Sequence, residues 1–61
     1  MEIERETEQG TLNLRNVMVD VDGTNLEEGI EVVHSESTSV FLGYIDLDDN
    51  EAVDRFIEEN F

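Results

Sequence analysis

The chain opens Met-Glu-Ile-Glu-Arg-Glu-Thr-Glu, with a carboxylate at every second position. Successive side chains of a strand point to opposite faces. A period of two therefore sets Glu2, Glu4, Glu6 and Glu8 on one side and Met1, Ile3, Arg5 and Thr7 on the other. This is the signature of a strand whose sheet has one solvated face. Gln9-Gly10 follows as a turn signal and suggests a hairpin into the next segment.

Thr11 to Val21 is rich in β-formers, but its parity changes. Leu12 and Leu14 share one face, while Val17, Val19 and Val21 share the other. The pattern predicts either a bulge near Arg15–Asn16 or burial on both sides. Asp22-Gly23 ends the run, and residues 22–29 read as a connecting loop with room for a single turn at Asn25–Glu28. A third strand is expected at Ile30–His34, then a polar turn over Ser35–Ser39. Val40 to Leu47 is apolar on both faces, as a central strand covered on two sides would be.

Asp48-Asp49-Asn50-Glu51 supplies an N-cap with an acidic residue three positions on, a capping box in its Asp form. Ala52, Val53, Phe56, Ile57 and Phe61 then fall on one helical face, and the early acids suit the positive end of the helix dipole. The expected fold is α+β: a four-stranded antiparallel sheet (β-β-β-β-α) with one C-terminal amphipathic helix packed on one face. Residues 1–61 form a single small acidic domain. One helix cannot cover both faces of such a sheet, so the second face is either solvated, as the Glu row suggests for the first strand, or shared with a homodimer or another partner.

Charge sets the remaining bounds. Asp and Glu number 17 against 3 Arg and no Lys, a net charge of −14. Affinity for nucleic acid or for anionic membranes comes from cations that displace counterions, so direct binding to either is excluded. There is no apolar run of membrane-span length, and no basic leader with an apolar core, so a cytoplasmic protein is expected. The absence of Cys removes disulfides and thiolate metal sites. A chain this short buries only about 60% of its unfolded surface, and self-repulsion weakens the compact state further.

Three motifs carry possible chemistry. Val17-Met18-Val19-Asp20-Val21-Asp22-Gly23-Thr24 resembles the nucleophile motif of the haloacid-dehalogenase superfamily of phosphatases. The resemblance implies that Asp20 attacks phosphorus and Asp22 serves as acid/base beside Mg²⁺. That family needs a far longer Rossmann-like domain and a later Lys, and this chain has neither, so the stretch is read as a strand ending in an Asp-Gly turn. The same residues fit a calcium loop in part, with Asp20, Asp22, Thr24 and Glu31 at ligand positions, but Asn25 stands where that loop needs Gly. His34 has Ser35, Ser37 and Glu36 beside it only as chain neighbours. No catalytic residue, metal or cofactor is expected.

What remains is the acidic surface. Glu2, Glu4, Glu6 and Glu8 should project at intervals of roughly 6.6 Å, twice the strand rise. DNA carries a charge every ~3.4 Å of axial rise per strand, and farther apart along the wound backbone. A row of carboxylates on a rigid strand can imitate a run of phosphates. Glu51, Asp54 and Glu58 form a second row on the helix, trimmed by an expected Arg55–Glu51 pair. Glu27, Glu28 and Glu31 lie near the loop, and Tyr44, Phe61 or Leu26 can act as apolar anchor. In size, charge and fold class the chain looks like small acidic viral inhibitors: anti-CRISPR proteins, anti-restriction proteins and uracil-DNA glycosylase inhibitors. It is expected to be a non-enzymatic DNA mimic whose partner is a basic nucleic-acid-binding protein such as a nuclease or CRISPR effector. The partner-binding residues would be Glu2, Glu4, Glu6, Glu8, Glu27, Glu28, Glu31, Tyr44, Asp54 and Glu58. The alternative is a halophile-adapted structural or regulatory homodimer, although a single Ala against five Asn does not match typical halophile usage.

Overall fold

In the computed structural model, which describes Met1–Phe61, the opening alternation forms strand β1 (Glu2–Thr7), its residues exposed and half-buried in turn. Four further elements follow: β2 (Gly10–Asp20), β3 (Leu26–His34), β4 (Ser37–Leu42) and helix α1 (Asn50–Asn60). The strands make one antiparallel sheet in chain order, β1-β2-β3-β4. Two-residue turns at Glu8-Gln9 and Ser35-Glu36 close the outer hairpins, where Thr7 pairs with Gly10 and His34 with Ser37. At the first turn the Thr7 hydroxyl donates to Gly10 O (2.9 Å) and accepts from Gln9 N (3.0 Å). Gly10 holds φ at +113°, and a Cβ there would stand 3.0 Å from His34 Nε2. Glycine is the one residue that meets both demands.

The register assigns every strand residue to a face. Ile3, Leu14 and Val32 lie in one row, as do Leu12 with His34 and Ile30 with Phe41. This face carries the core: Leu12, Leu14, Ile30 and Val32 are buried with Leu47 and with Val53 of α1. Each such side chain contributes about 1.5–3 kcal/mol relative to exposure. Phe41 meets Phe56 edge-on with ring centroids 5.2 Å apart and Phe61 at 5.7 Å. These rings fasten β4 to the helix, and T-shaped contacts add to their burial.

Helix α1 begins one residue later than the capping-box reading requires. Asp49 is the N-cap, and its Oδ1 accepts from Glu51 N (3.1 Å) and Ala52 N (3.2 Å). Three positions on from Asp49 stands Ala52, which cannot return the bond. Asp46 instead shapes the preceding turn, accepting from Asp48 N at 3.0 Å.

Four expectations are corrected. Strand β2 has no bulge at Arg15–Asn16; its pairing with β3 runs unbroken from Leu12↔His34 to Asp20↔Leu26. The parity change arises because Asn16 takes a core-side position, where its amide donates to Ile45 O at 3.2 Å. Val17 and Val19 thereby fall on the opposite face. Strand β3 begins at Leu26, not Ile30, since pairing with Met18 and Val19 draws Leu26–Gly29 out of the loop. Strand β4 ends at Leu42 and is an edge strand, not a central one. Its Phe41 enters the core, while Val40 and Leu42 stay 50% and 59% exposed on the helix-free face.

Candidate partner-binding surface

The helix-free face of the sheet gathers part of the expected site. Its rows run Glu2–Arg15–Glu31–Val40, Glu4–Asn13–Val33–Thr38 and Val17–Gly29–Leu42 across the strands, with Glu6 beside Thr11 and Glu27 beside Val19. Glu2, Glu4, Glu6, Glu27 and Glu31 therefore share one surface. Glu2, Glu4 and Glu6 are exposed along the β1 edge.

The other expected residues lie elsewhere. Glu8 sits in the turn after β1 and leaves the row. Glu28 pairs with Met18 and points to the helix side of the sheet. Asp54 and Glu58 are on α1, which covers that same side. Tyr44 follows β4, 62% exposed, so it is not part of the core. Of the other two anchors, Leu26 is 64% exposed, whereas Phe61 is packed between Phe41 and Phe56.

The cations modify this picture. Arg15 stands in the acidic row, and its Nε donates to Glu31 Oε1 at 2.7 Å. The hydrogen bond to Glu31 and its charge, with a smaller contribution from Glu2, raise the Arg15 pKa. Glu31 is thus largely neutralised, and the free carboxylates of this face are those of β1 and Glu27. Arg5 reaches the helix, 3.6 Å from Asp54. Arg55 has no carboxylate within ion-pair distance, contrary to the expected pair with Glu51.

The expected partner-binding residues leave out the apolar half of this surface. Val17 and Val19 close over Gly29, where an added Cβ would lie 2.7 Å from Val19 Cγ2 and 3.1 Å from Phe41 O. With Val33, Val40 and Leu42 they form an apolar strip beside the carboxylates. The signal was present in the parity change of β2 and in the two-sided pattern of β4.

The Asp20–Thr24 motif is occupied by its own loop. Asp20 Oδ1 accepts from Gly23 N at 2.7 Å. Asp22 Oδ1 accepts from the Thr24 and Asn25 amides and the Thr24 hydroxyl, and its Oδ2 from the Asn25 side chain. These bonds, the Thr24 amide first, hold the Asp22 pKa down to about 2. A carboxylate so engaged is poor as nucleophile or as proton donor. Glu31, the last ligand of the calcium-loop alignment, is committed to Arg15, and no three His, Asp or Glu side chains converge as a metal would need. A shallow crevice of about 280 Å³ lies between the first turn and the end of α1, lined by Thr7, Gln9, Ile57 and Phe61 with Glu8 and Glu58 at its rim. Its one hydroxyl, of Thr7, is engaged in the turn. No helix is long and apolar enough to cross a membrane.

No protein-family model, curated protein or solved structure matches the chain.

Proposed function

We propose that this chain is a non-enzymatic acidic binding protein that occupies the nucleic-acid-binding groove of a basic partner, such as a nuclease or CRISPR effector, and inhibits it by imitating DNA. The observation that carries this reading is the exposed row Glu2, Glu4, Glu6 on a strand of a hydrogen-bonded sheet, in a chain of net charge −14. Carboxylates carried on a strand keep a set spacing, so Lys and Arg of a groove can meet them with no rearrangement of the backbone. The long-range field of the whole chain steers the encounter, and short-range apolar contact slows release. Tyr44 is the exposed candidate for that contact, since Leu26, exposed too, pairs with Asp20 and shares the helix side of the sheet with Glu28. The row lies at one edge of the sheet, with Val40 and Leu42 on the strand at the other. Three strand spacings of ~4.8 Å separate those edges, and the proposed footprint is the helix-free face between them. Glu27 belongs to it, while Asp54 and Glu58 lie on the far side of the molecule.

Affinity capture from a host lysate tests this reading in three parallel arms: wild type, wild type with competing duplex DNA, and Glu4→Lys/Glu6→Lys. The expected captures are basic nucleic-acid-binding proteins, lost to duplex DNA and to the double variant, with inhibition of their DNA binding lost in step. Equal capture by the double variant would remove the β1 row from the mechanism.

A further inference from the structure

The two edges of the sheet are built in opposite ways, and the hydrogen-bond phase of the ladder shows how. Gly43 N donates to Glu28 O at 2.9 Å. In an antiparallel ladder, hydrogen-bonded and non-bonded pairs alternate. Ile30–Phe41, Val32–Ser39 and His34–Ser37 are therefore bonded pairs, and the backbone N–H and C=O of Thr38, Val40 and Leu42 turn outward. Carried across the sheet, the same alternation bonds Gly29, Glu31 and Val33 to β2, then Leu12 and Leu14 to Arg5 and Ile3. On β1 the outward backbone groups belong to Glu2, Glu4 and Glu6.

Every unpaired backbone position on β1 thus carries a carboxylate. Charged side chains on an edge discourage pairing with another strand. The same positions on β4 carry Thr38, Val40 and Leu42, and β4 (Ser-Thr-Ser-Val-Phe-Leu) holds no charge and no Pro in a chain where one residue in three is charged. Outward N–H and C=O groups call for an extended strand. An uncharged edge gives a basic strand nothing to pair with, whereas an uncharged strand fits it. Each of the other strands of this chain carries charged residues, so β4 itself is the strand that matches.

We infer that β4 is a self-association edge, pairing antiparallel with β4 of a second copy across a two-fold axis to give a continuous eight-stranded sheet. Such an isologous contact closes at the dimer. It places Val40 and Leu42 of both copies together and sends the two acidic β1 edges to opposite ends of the sheet, the greatest separation the fold allows. The Glu2–Glu6 rows stay free, so this inference does not rest on the proposed function.

The salt dependence separates the two. Two chains of like charge repel at long range, so this dimer strengthens as salt screens them, whereas binding to a basic partner weakens. Size-exclusion chromatography with light scattering, in ~0.1 M and ~1 M KCl over a range of protein concentrations, reads the mass. The expected result is a shift from the 7.0 kDa of one chain to twice that mass, favoured by salt. Hydrogen exchange should then slow at the Thr38, Val40 and Leu42 amides. Val40→Pro removes an outward N–H without taking a bond from the ladder, and Val40→Lys adds a charge at the same place. Both should remain at the mass of one chain with the wild-type far-UV circular dichroism, and Glu4→Lys/Glu6→Lys should still dimerise. Should one Val40 variant lose its folded spectrum, the other decides. A wild type that stays at 7.0 kDa in high salt, a dimer that survives the folded Val40 variant, or a mass above the dimer would each overturn the assignment.

Discussion

Arg5 on β1 lies 3.6 Å from Asp54 on α1 and donates to Asn50 Oδ1, so one side chain ties the first strand to the start of the last helix. The alternation of β1 turns Arg5 inward with Ile3 and Thr7, and its side chain is only 27% exposed. The stem of the arginine covers the margin of the core while its head serves the helix.

Replacing Arg5 should therefore destabilise through two routes. Arg5→Met keeps the stem and loses the polar contacts, at a cost of about 0.5 kcal/mol for a largely solvated pair. Arg5→Ala loses the packing as well and should cost about 1–2 kcal/mol. Urea denaturation of the two variants separates the contributions. Equal loss in both would mean that the stem packs against nothing of value.

Leu14 is fully buried between Ile3 and Val32. Leu14→Ala should cost about 2–5 kcal/mol. A chain of this length has a total stability of only about 3–9 kcal/mol, so the variant should be partly or wholly unfolded at 25 °C. Val40→Ala, on the exposed edge, should stay within about 0.5 kcal/mol of wild type. Circular dichroism during urea titration checks both.

Asp22 predicts a pH effect whose sign is fixed. Its folded pKa is depressed to about 2 by the loop amides, so it contributes stability above the unfolded value of about 3.9 and loses it as pH falls toward 2. The difference between wild type and Asp22→Ala isolates the loop. That difference should be constant from neutral pH down to about 4 and shrink toward zero near pH 2. A difference that persists unchanged in acid would show that neutral Asp22 holds the loop equally well.

Salt decides between a decoy and an adaptation to a salty interior. On the proposed function the chain folds cooperatively in ~0.1 M KCl, where charges still interact over a Debye length of ~10 Å. Far-UV circular dichroism at ~0.1 M and ~2 M KCl follows this directly. A chain that folds only in the higher salt would owe its acidity to habitat, and the DNA-mimic reading would fall.

The elements most legible in the sequence were those whose pattern has one physical cause. Glu2–Thr7 alternates because one face is wet, and α1 shows its apolar stripe because one side meets the sheet. Strand β4 misled because apolar residues on two faces look alike whether or not both are covered. Phe41 is half-buried against the helix, while Val40 and Leu42 stay exposed on the other face. Leu26–Gly29 looked like a loop because its strand character is imposed by pairing with β2, which no local pattern reports. Arg55 and Glu51 have the right spacing for an ion pair and do not use it. On a solvated helix surface such a pair offers only about 0.3–0.5 kcal/mol, little against the entropy of two long side chains. The acidic row stands on β1 at Glu2, Glu4 and Glu6 but loses Glu8 to the turn, and which other residues join it depends on sheet register. Glu27 and Glu28, adjacent in the chain, end on opposite faces.

The exposure of Tyr44 has an optical consequence. The chain contains no Trp and this single Tyr, so its near-ultraviolet emission comes from one largely exposed ring that follows the end of β4. Folding should leave that emission nearly unchanged, since the ring is solvated either way. Whatever docks against the end of β4 should alter its intensity and its access to quenchers. The molecule thus carries an intrinsic reporter that is blind to its own folding and sensitive to its company.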